Sequence, residues 1–397
     1  MLTIPPVHPL LMALLTDRPI EPDVLATLPH QSWEMLVQDS IAQRVGALLF
    51  CWINRCSHQP LIPHDVRTLL TQQIMRQTAW SLLLTHELRR ILDTCRMHNI
   101  ACIPIRGPIF AAQLYGDGLM RHMDDLDILV HRTDLPAIKM IFGQLGYITH
   151  GHRPDFLETY SYSLEFIHPQ HGLVAEPHWT LTYPPSVDAI DMKPVWARAA
   201  TQRILGSDII TLNQADLLLH LCLHLLHKGT GAPLLWYYEL GRLIRQNASS
   251  LDWDLFTHHA RTMGQACLIA DVLETIRHHF HTTIPDAILD SLRQPFESSS
   301  AQVAHPLRDQ VLRRPSLNGR EEFALLFSLQ GLHRQIRYVA TLLFPSPRYM
   351  VRRYGYSSAL GLLGSYVRRI CHLSKEGCIV ASIWARTIFV TRPTKHR

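Results

Sequence analysis

Apolar positions change their spacing twice along this chain. In residues 1–98 they recur at helical intervals. The clearest run is "HDVRTLLTQQIMRQTAWSLLLTHELRRILDTCRMHNI", where Leu70, Ile74, Leu82, Leu83 and Leu88 to Leu92 mark one long helix. It should end near His98-Asn99, because Asn tolerates the left-handed conformation that closes helices. From Ala101 the period shortens. "ACIPI" is a strand-length apolar run, Gly107 breaks it, and "PIFAAQLYG" reads as a helix with Pro108 in its first turn. A second strand covers 125–130; Thr133 or Asp134 could cap a helix over "LPAIKMIFGQLG", and Gly146 stops it. "YITH", "YSLEFIH" and "LVAEPHW" read as three more strands. This succession predicts a small mixed sheet with helices on one side.

Near Asn213 the helical period returns, in "QADLLLHLCLHLLHK", "LLWYYELGRLIRQ", "DWDLFTHHARTMG" and "QACLIADVLETIRHHF". The pattern therefore predicts an α+β protein. It has an N-terminal helical region at 1–98, a mixed-sheet core at 99–212 and a helical domain at 213–282. A looser Pro- and Ser-containing connection follows at 283–320, then a basic helical region at 321–397.

Composition narrows the class without naming a function. With 47% hydrophobic and 18% charged residues, a large core is affordable and disorder is excluded. The eight cysteines form no CxxC pair and match no zinc framework, which points to reduced, mostly buried thiols in a cytoplasmic protein. The N-terminus lacks a basic lead and carries prolines in its apolar part, so no signal peptide is expected. No uncharged apolar run approaches about 18 residues, so no membrane span is expected either. Net charge is uneven: residues 331–397 hold twelve Lys or Arg against the single acid Glu376, about +11, and the first 330 residues carry about −6. That asymmetry suits an acidic partner, although a solvated basic face explains it as well.

Candidate chemistry concentrates in "RHMDDLDILV", 121–130. Side chains alternate along a strand, so Asp125 and Asp127 project to one face while Leu126 and Ile128 take the other. Two carboxylates about 7 Å apart on one face repel, and a divalent cation resolves the repulsion. Hard oxygen ligands suit Mg2+, which is commonly completed by substrate phosphates. Such a site wants a third acid, and Glu176 in "LVAEPHW" supplies it if its strand lies beside 125–130; Glu165 competes for that role. It also wants an anion-friendly turn. "IRGPIFAAQLYG" places Gly107 between a strand end and a helix start.

These segments together resemble a known family. "IRGPIFAAQLYG", "LYGDGLMRHMDDLDILV" and "EPHW" look like the signature of the uncharacterised nucleotidyltransferase family, within the polymerase-beta-like nucleotidyltransferase superfamily. The likeness covers most of 64–370, including "HLCLHLLHK", "LDW" and "LFPSPRYMVRRYG", with its motif core at 101–180. The resemblance implies a nucleotidyltransferase-like core and Mg2+- or Mn2+-dependent transfer of a nucleoside monophosphate from an NTP. The acceptor would be a small molecule, sugar, peptide or protein. By position, Asp125, Asp127 and Glu176 would hold metal, and Glu176 would also deprotonate or orient the acceptor hydroxyl. Arg106, Gly107 and Arg121 would meet the nucleotide phosphates. Two departures stand out. Arg106 replaces a frequent Lys, which keeps the charge but changes the geometry. The superfamily's Gly-Ser is here Gly107-Pro108, and Pro108 has no N–H to donate.

Two rival readings remain open from sequence. One is a catalytically degenerate member that binds nucleotide or protein; the other is a nucleic-acid binder using the basic C-terminal region. His220, His224 and His227 share helical spacing with zinc sites but lack an acidic partner, and they read as packing residues that can line the cleft. Cys102 reads as a core thiol, and "WYYELGRL" with Glu239 as a packed helix face.

Overall fold

The computed structural model describes residues 4–55, 62–116, 121–150, 154–183, 190–294, 326, 332–355 and 358–390. Four helices open the chain: α1 (Pro9–Leu15), α2 (Pro22–Ala26), α3 (His30–Ala42) and α4 (Gly46–Arg55). The 34-residue α5 (His64–Met97) follows and stops as expected. Asn99 adopts φ +58, and the Ile100 N–H closes the last turn on the Cys95 carbonyl at 2.9 Å. Its buried positions include Val66, Leu70, Ile74, Leu84, Leu88, Ile91 and Leu92, whereas Leu82 is exposed.

The sheet contains β1 (Cys102–Pro104), β2 (Asp125–Val130), β3 (Ile148–His150), β4 (Glu165–Ile167) and β5 (Val174–His178), in the order β1-β2-β5-β4-β3. Pairing is antiparallel except between β2 and β5, which run parallel. β2 and β5 lie side by side although helices α6 (Gly107–Tyr115), α7 (Leu135–Gln144) and α8 (Pro154–Tyr160) punctuate the core. A second sheet, the hairpin β6 (Ala200–Ile204) and β7 (Ser207–Thr211), follows α9 (Met192–Arg198).

Strand alternation sends the two faces of β2 into different apolar clusters. Leu126, Ile128 and Val130 join Leu84, Leu88, Ile91, Ile138 and Phe142 from α5 and α7. Ile103 and Leu129 join the N-terminal helices and the later bundle. That bundle comprises α10 (Gln214–Lys228), α11 (Leu234–Gln246), α12 (Trp253–Thr262), α13 (Ala266–Phe280) and α14 (Asp286–Arg293). The helices expected on one side of the sheet therefore lie on both. α5 serves both clusters, with Val66, Leu70 and Ile74 in one and Leu84 to Cys95 in the other. Of the looser connection expected at 283–320, Asp286–Arg293 is helical and 295–320 lies outside the described residues. Three helices close the chain: α15 (Leu332–Leu343), α16 (Pro347–Tyr354) and α17 (Ala359–Val390). No helix among the described residues is long and apolar enough to cross a membrane.

Candidate active site

The parallel register sets Asp127 directly beside Glu176, and Leu129 beside His178. Residues in register on neighbouring strands share a face, so Asp125, Asp127, Glu176 and His178 all project to the side away from α5 and α7. The ligand atoms of Asp127, Glu176 and His178 lie within 4.8 Å of one another, a grouping that could hold a metal ion. Asp125 stands outside this grouping, and so does Glu165. Asp124 points elsewhere, pairing with Arg44 at 2.5 Å and His122 at 3.0 Å.

Arg106 enters from the end of β1. Its Nη2 lies 2.5 Å from Asp127 Oδ2, and its Nη1 donates to His224 Nε2 at 2.6 Å. A guanidinium only donates, so His224 accepts at Nε2 and carries its proton on Nδ1, which meets the Tyr183 hydroxyl at 2.9 Å. Burial and the adjacent Arg106 charge hold the His224 pKa well below the usual imidazole range, in keeping with this neutral tautomer. His220 likewise donates from Nδ1 to the Leu181 carbonyl at 3.0 Å. Burial, reinforced by Arg106, lowers its pKa to about 3. His178 Nε2 donates to Asp127 Oδ1 at 3.0 Å. Gly107 has φ +71, a conformation that a β-carbon strains, and a β-carbon there would stand 3.8 Å from the Asp125 carbonyl. The space is open; the backbone angle is what demands glycine.

Electrostatics divide the carboxyl groups. Burial alone would raise Asp127, but Arg106 and the His178 hydrogen bond outweigh it and hold this carboxyl well below its ordinary range. The repulsion read from the sequence emerges at its neighbours. Burial, then the Asp127 charge, raises Asp125, and the same causes push Glu176 up to about 7. Three carboxyl groups thus face one guanidinium, and the site is short of positive charge. Arg106 Nε, His178 Nδ1 and His220 Nε2 are buried without hydrogen-bond partners, and Asp127 Oδ2 is met only by the Arg106 ion pair. An Asp127 oxygen held only by an ion pair, beside a Glu176 whose charge is disfavoured, fits a divalent cation, as does the donor set of two carboxylates and an imidazole.

Arg121, the other arginine read as a phosphate contact, is held differently. Its Nε and Nη2 donate to the two Glu239 oxygens at 2.8 and 3.2 Å, and Tyr115 adds a hydrogen bond to the same carboxylate at 3.3 Å. The guanidinium lies 5.5 Å from the Phe110 ring centre. Any phosphate reaching Arg121 would have to share it with Glu239.

The family model for uncharacterised nucleotidyltransferases matches residues 29–281, nearly two-thirds of the chain. The chain belongs to this family. The match begins before the resemblance read at 64–370 and ends before "LFPSPRYMVRRYG", so the basic C-terminal region lies outside it. No curated protein and no solved structure compared with the chain matches it. Membership makes nucleotide transfer the general kind of activity, and the grouping on β2 and β5 supplies residues able to bind a metal.

Sequence reading set His178 on the Glu176 face and His224 along the cleft without giving either a role, and it missed Tyr183 and Glu239 as parts of this neighbourhood. The signal for His178 is its place two residues beyond Glu176, on the same strand face. Tyr183 and Glu239 come from segments far away in sequence, with no local mark of their part here.

Proposed function

We propose that this chain transfers a nucleoside monophosphate from an NTP to an acceptor hydroxyl on the Asp125–Asp127–Glu176 face. The observation that carries the reading is the parallel register putting Asp127 beside Glu176, within family membership. Asp127, Glu176 and His178 would hold the ion, with Asp125 available at the strand's mouth. A bound Mg2+ or Mn2+ would supply neutralisation of charge developing on the phosphates. Glu176 takes the acceptor's proton as the acceptor oxygen bonds to the α-phosphorus, the bond to the bridging oxygen breaks, and pyrophosphate leaves. Before the ion binds, His178 fixes Asp127 through its Nε2–H hydrogen bond, which that nitrogen would give up on ligating a metal. Arg106, charged and beside Asp127, turns toward the anionic triphosphate when substrate neutralises its need for that carboxylate. Gly107 brings the backbone close to the phosphates, and Arg121 contributes positive charge at the edge. The NTP requirement suits the cytoplasm, and the acceptor is a hydroxyl of a small molecule, sugar, peptide or protein.

A second reading, nucleotide binding without transfer, is favoured by one observation: Arg106 lies on the Asp127 oxygen that a metal would use. Thermal melting with each NTP, with and without Mg2+ or Mn2+, tests the site in the wild type and in Asp127→Asn. A rise in Tm that needs both metal and one NTP and vanishes in the variant is expected. No rise with any pair, or an equal rise in the variant, would overturn the assignment. Stabilisation without pyrophosphate release across acceptor classes would select the binding-only reading.

A further inference from the structure

The C-terminal helices carry apolar surface that their own packing leaves uncovered. They fold on each other through buried Tyr338, Leu342 and Met350. Arg369 joins them internally, donating to the Leu342 carbonyl at 2.8 Å and the Tyr349 hydroxyl at 3.2 Å. Tyr338 meets Tyr160 edge-on at 4.9 Å, which ties this region to α8. None of these contacts uses Leu360, Leu363 or Val367, which are 84%, 63% and 55% exposed at positions i, i+3 and i+7 of α17. On α15 Ile336 is 59% exposed, and Phe344, just past the helix's end and 6.3 Å from the Tyr366 ring, is 60% exposed. Between 332 and 375 there are eight Lys or Arg and no Asp or Glu. Arg334, Arg337, Arg368 and Lys375 among them are exposed.

We propose that this region docks on an anionic membrane surface, sinking the α17 stripe, with Ile336 and Phe344, among the lipid chains while its arginines and lysine meet the headgroups. Amphipathic helices that lie in the interface combine these two features. Charge complementarity selects the occupant. A second copy would set eight positive charges against eight more, and the acidic first 330 residues would be repelled from anionic lipid, which orients the tail toward it. Leu360, Leu363, Val367 and Ile336 offer no stacking to nucleic-acid bases, so four of these five exposed apolar residues would be wasted on such a partner. The surface lies outside the residues matched to the family, so the inference stands apart from the transfer chemistry.

Flotation of the full-length protein with vesicles tests it. The vesicles are phosphatidylcholine alone or with about a third phosphatidylserine, in about 0.1 M salt. Binding only to the phosphatidylserine vesicles is expected. The doubly substituted Leu360→Ser, Leu363→Ser protein should bind about tenfold less while melting like the wild type. Arg334→Glu with Arg337→Glu should weaken binding similarly, and about 0.5 M salt should release much of it. Absence of binding to the phosphatidylserine vesicles would overturn the proposal. So would leucine variants that float as wild type, or a single-stranded RNA that displaces the protein from vesicles and binds those variants undiminished.

Discussion

Two buried arginine–carboxylate constellations lie near Asp125, and they are built on opposite terms. Arg121 and Glu239 form a closed pair: two parallel hydrogen bonds, a tyrosine completing the carboxylate, and an aromatic ring beneath the guanidinium. Arg106 and Asp127 form an open one, joined through a single guanidinium nitrogen, with Arg106 Nε left without a hydrogen-bond partner. Nearby Asp125 and Glu176 are both pushed toward protonation. A closed pair locks a helix to a loop. An open pair keeps binding capacity in reserve, at some expense in stability.

The contrast can be broken by substitution. The largest effect should come from Glu239→Ala, which strands a buried guanidinium without its hydrogen-bonded carboxylate; a loss of about 3–5 kcal/mol in urea unfolding is expected. Asp127→Asn should lose only about 1–2 kcal/mol, because Asp125 and Glu176 remain to balance Arg106. The same variant should abolish the metal-dependent NTP shift. Equal losses at the two sites would erase the distinction between closed and open pairs.

Glu176 sharpens the comparison through pH. Its folded pKa, about 7, exceeds the ordinary 4.5, so the native protein binds the proton more tightly than the unfolded chain does. Stability from this group is complete below about 4.5 and is lost as pH rises toward about 7. In metal-free protein, Glu176→Gln should therefore flatten the decline of Tm across that window. At neutral pH it should raise stability by about 1–3 kcal/mol while removing the proton acceptor. Asp127 runs the other way, because its depressed pKa gives stability that is present above pH 3.8 and fades only in stronger acid. The smallest effect belongs to Gly107→Ala. Space exists for the methyl group, so the φ of +71 alone should account for a loss of about 1–2 kcal/mol in the same unfolding series.

Much of this architecture was legible in the chain because its signals are local. The end of α5 follows from one Asn, the acidic face of β2 from strand alternation, and Gly107 from the turn it must make. Family membership could be read from the motifs around these residues and holds over 29–281. The pairing of β2 with β5 needed only the supposition that Glu176 serves the same site. What escaped depends on partners far along the chain: Glu239 closes on Arg121, and His224 on Arg106, each across 118 residues. The β6–β7 hairpin escaped for another reason. Its turn is Leu205-Gly206, with Leu205 at φ +49, and leucine in a left-handed turn gives none of the Asn-Gly signal that marks such hairpins.

The long helix α5 has a consequence for how the molecule comes apart. At 1.5 Å per residue its 34 residues make a rod of about 51 Å. One end is embedded in the cluster of the N-terminal helices and the bundle, the other in the cluster behind the sheet. Neither cluster can melt without fraying the rod that the other needs. Calorimetry should record both as a single cooperative transition rather than as independent folding units.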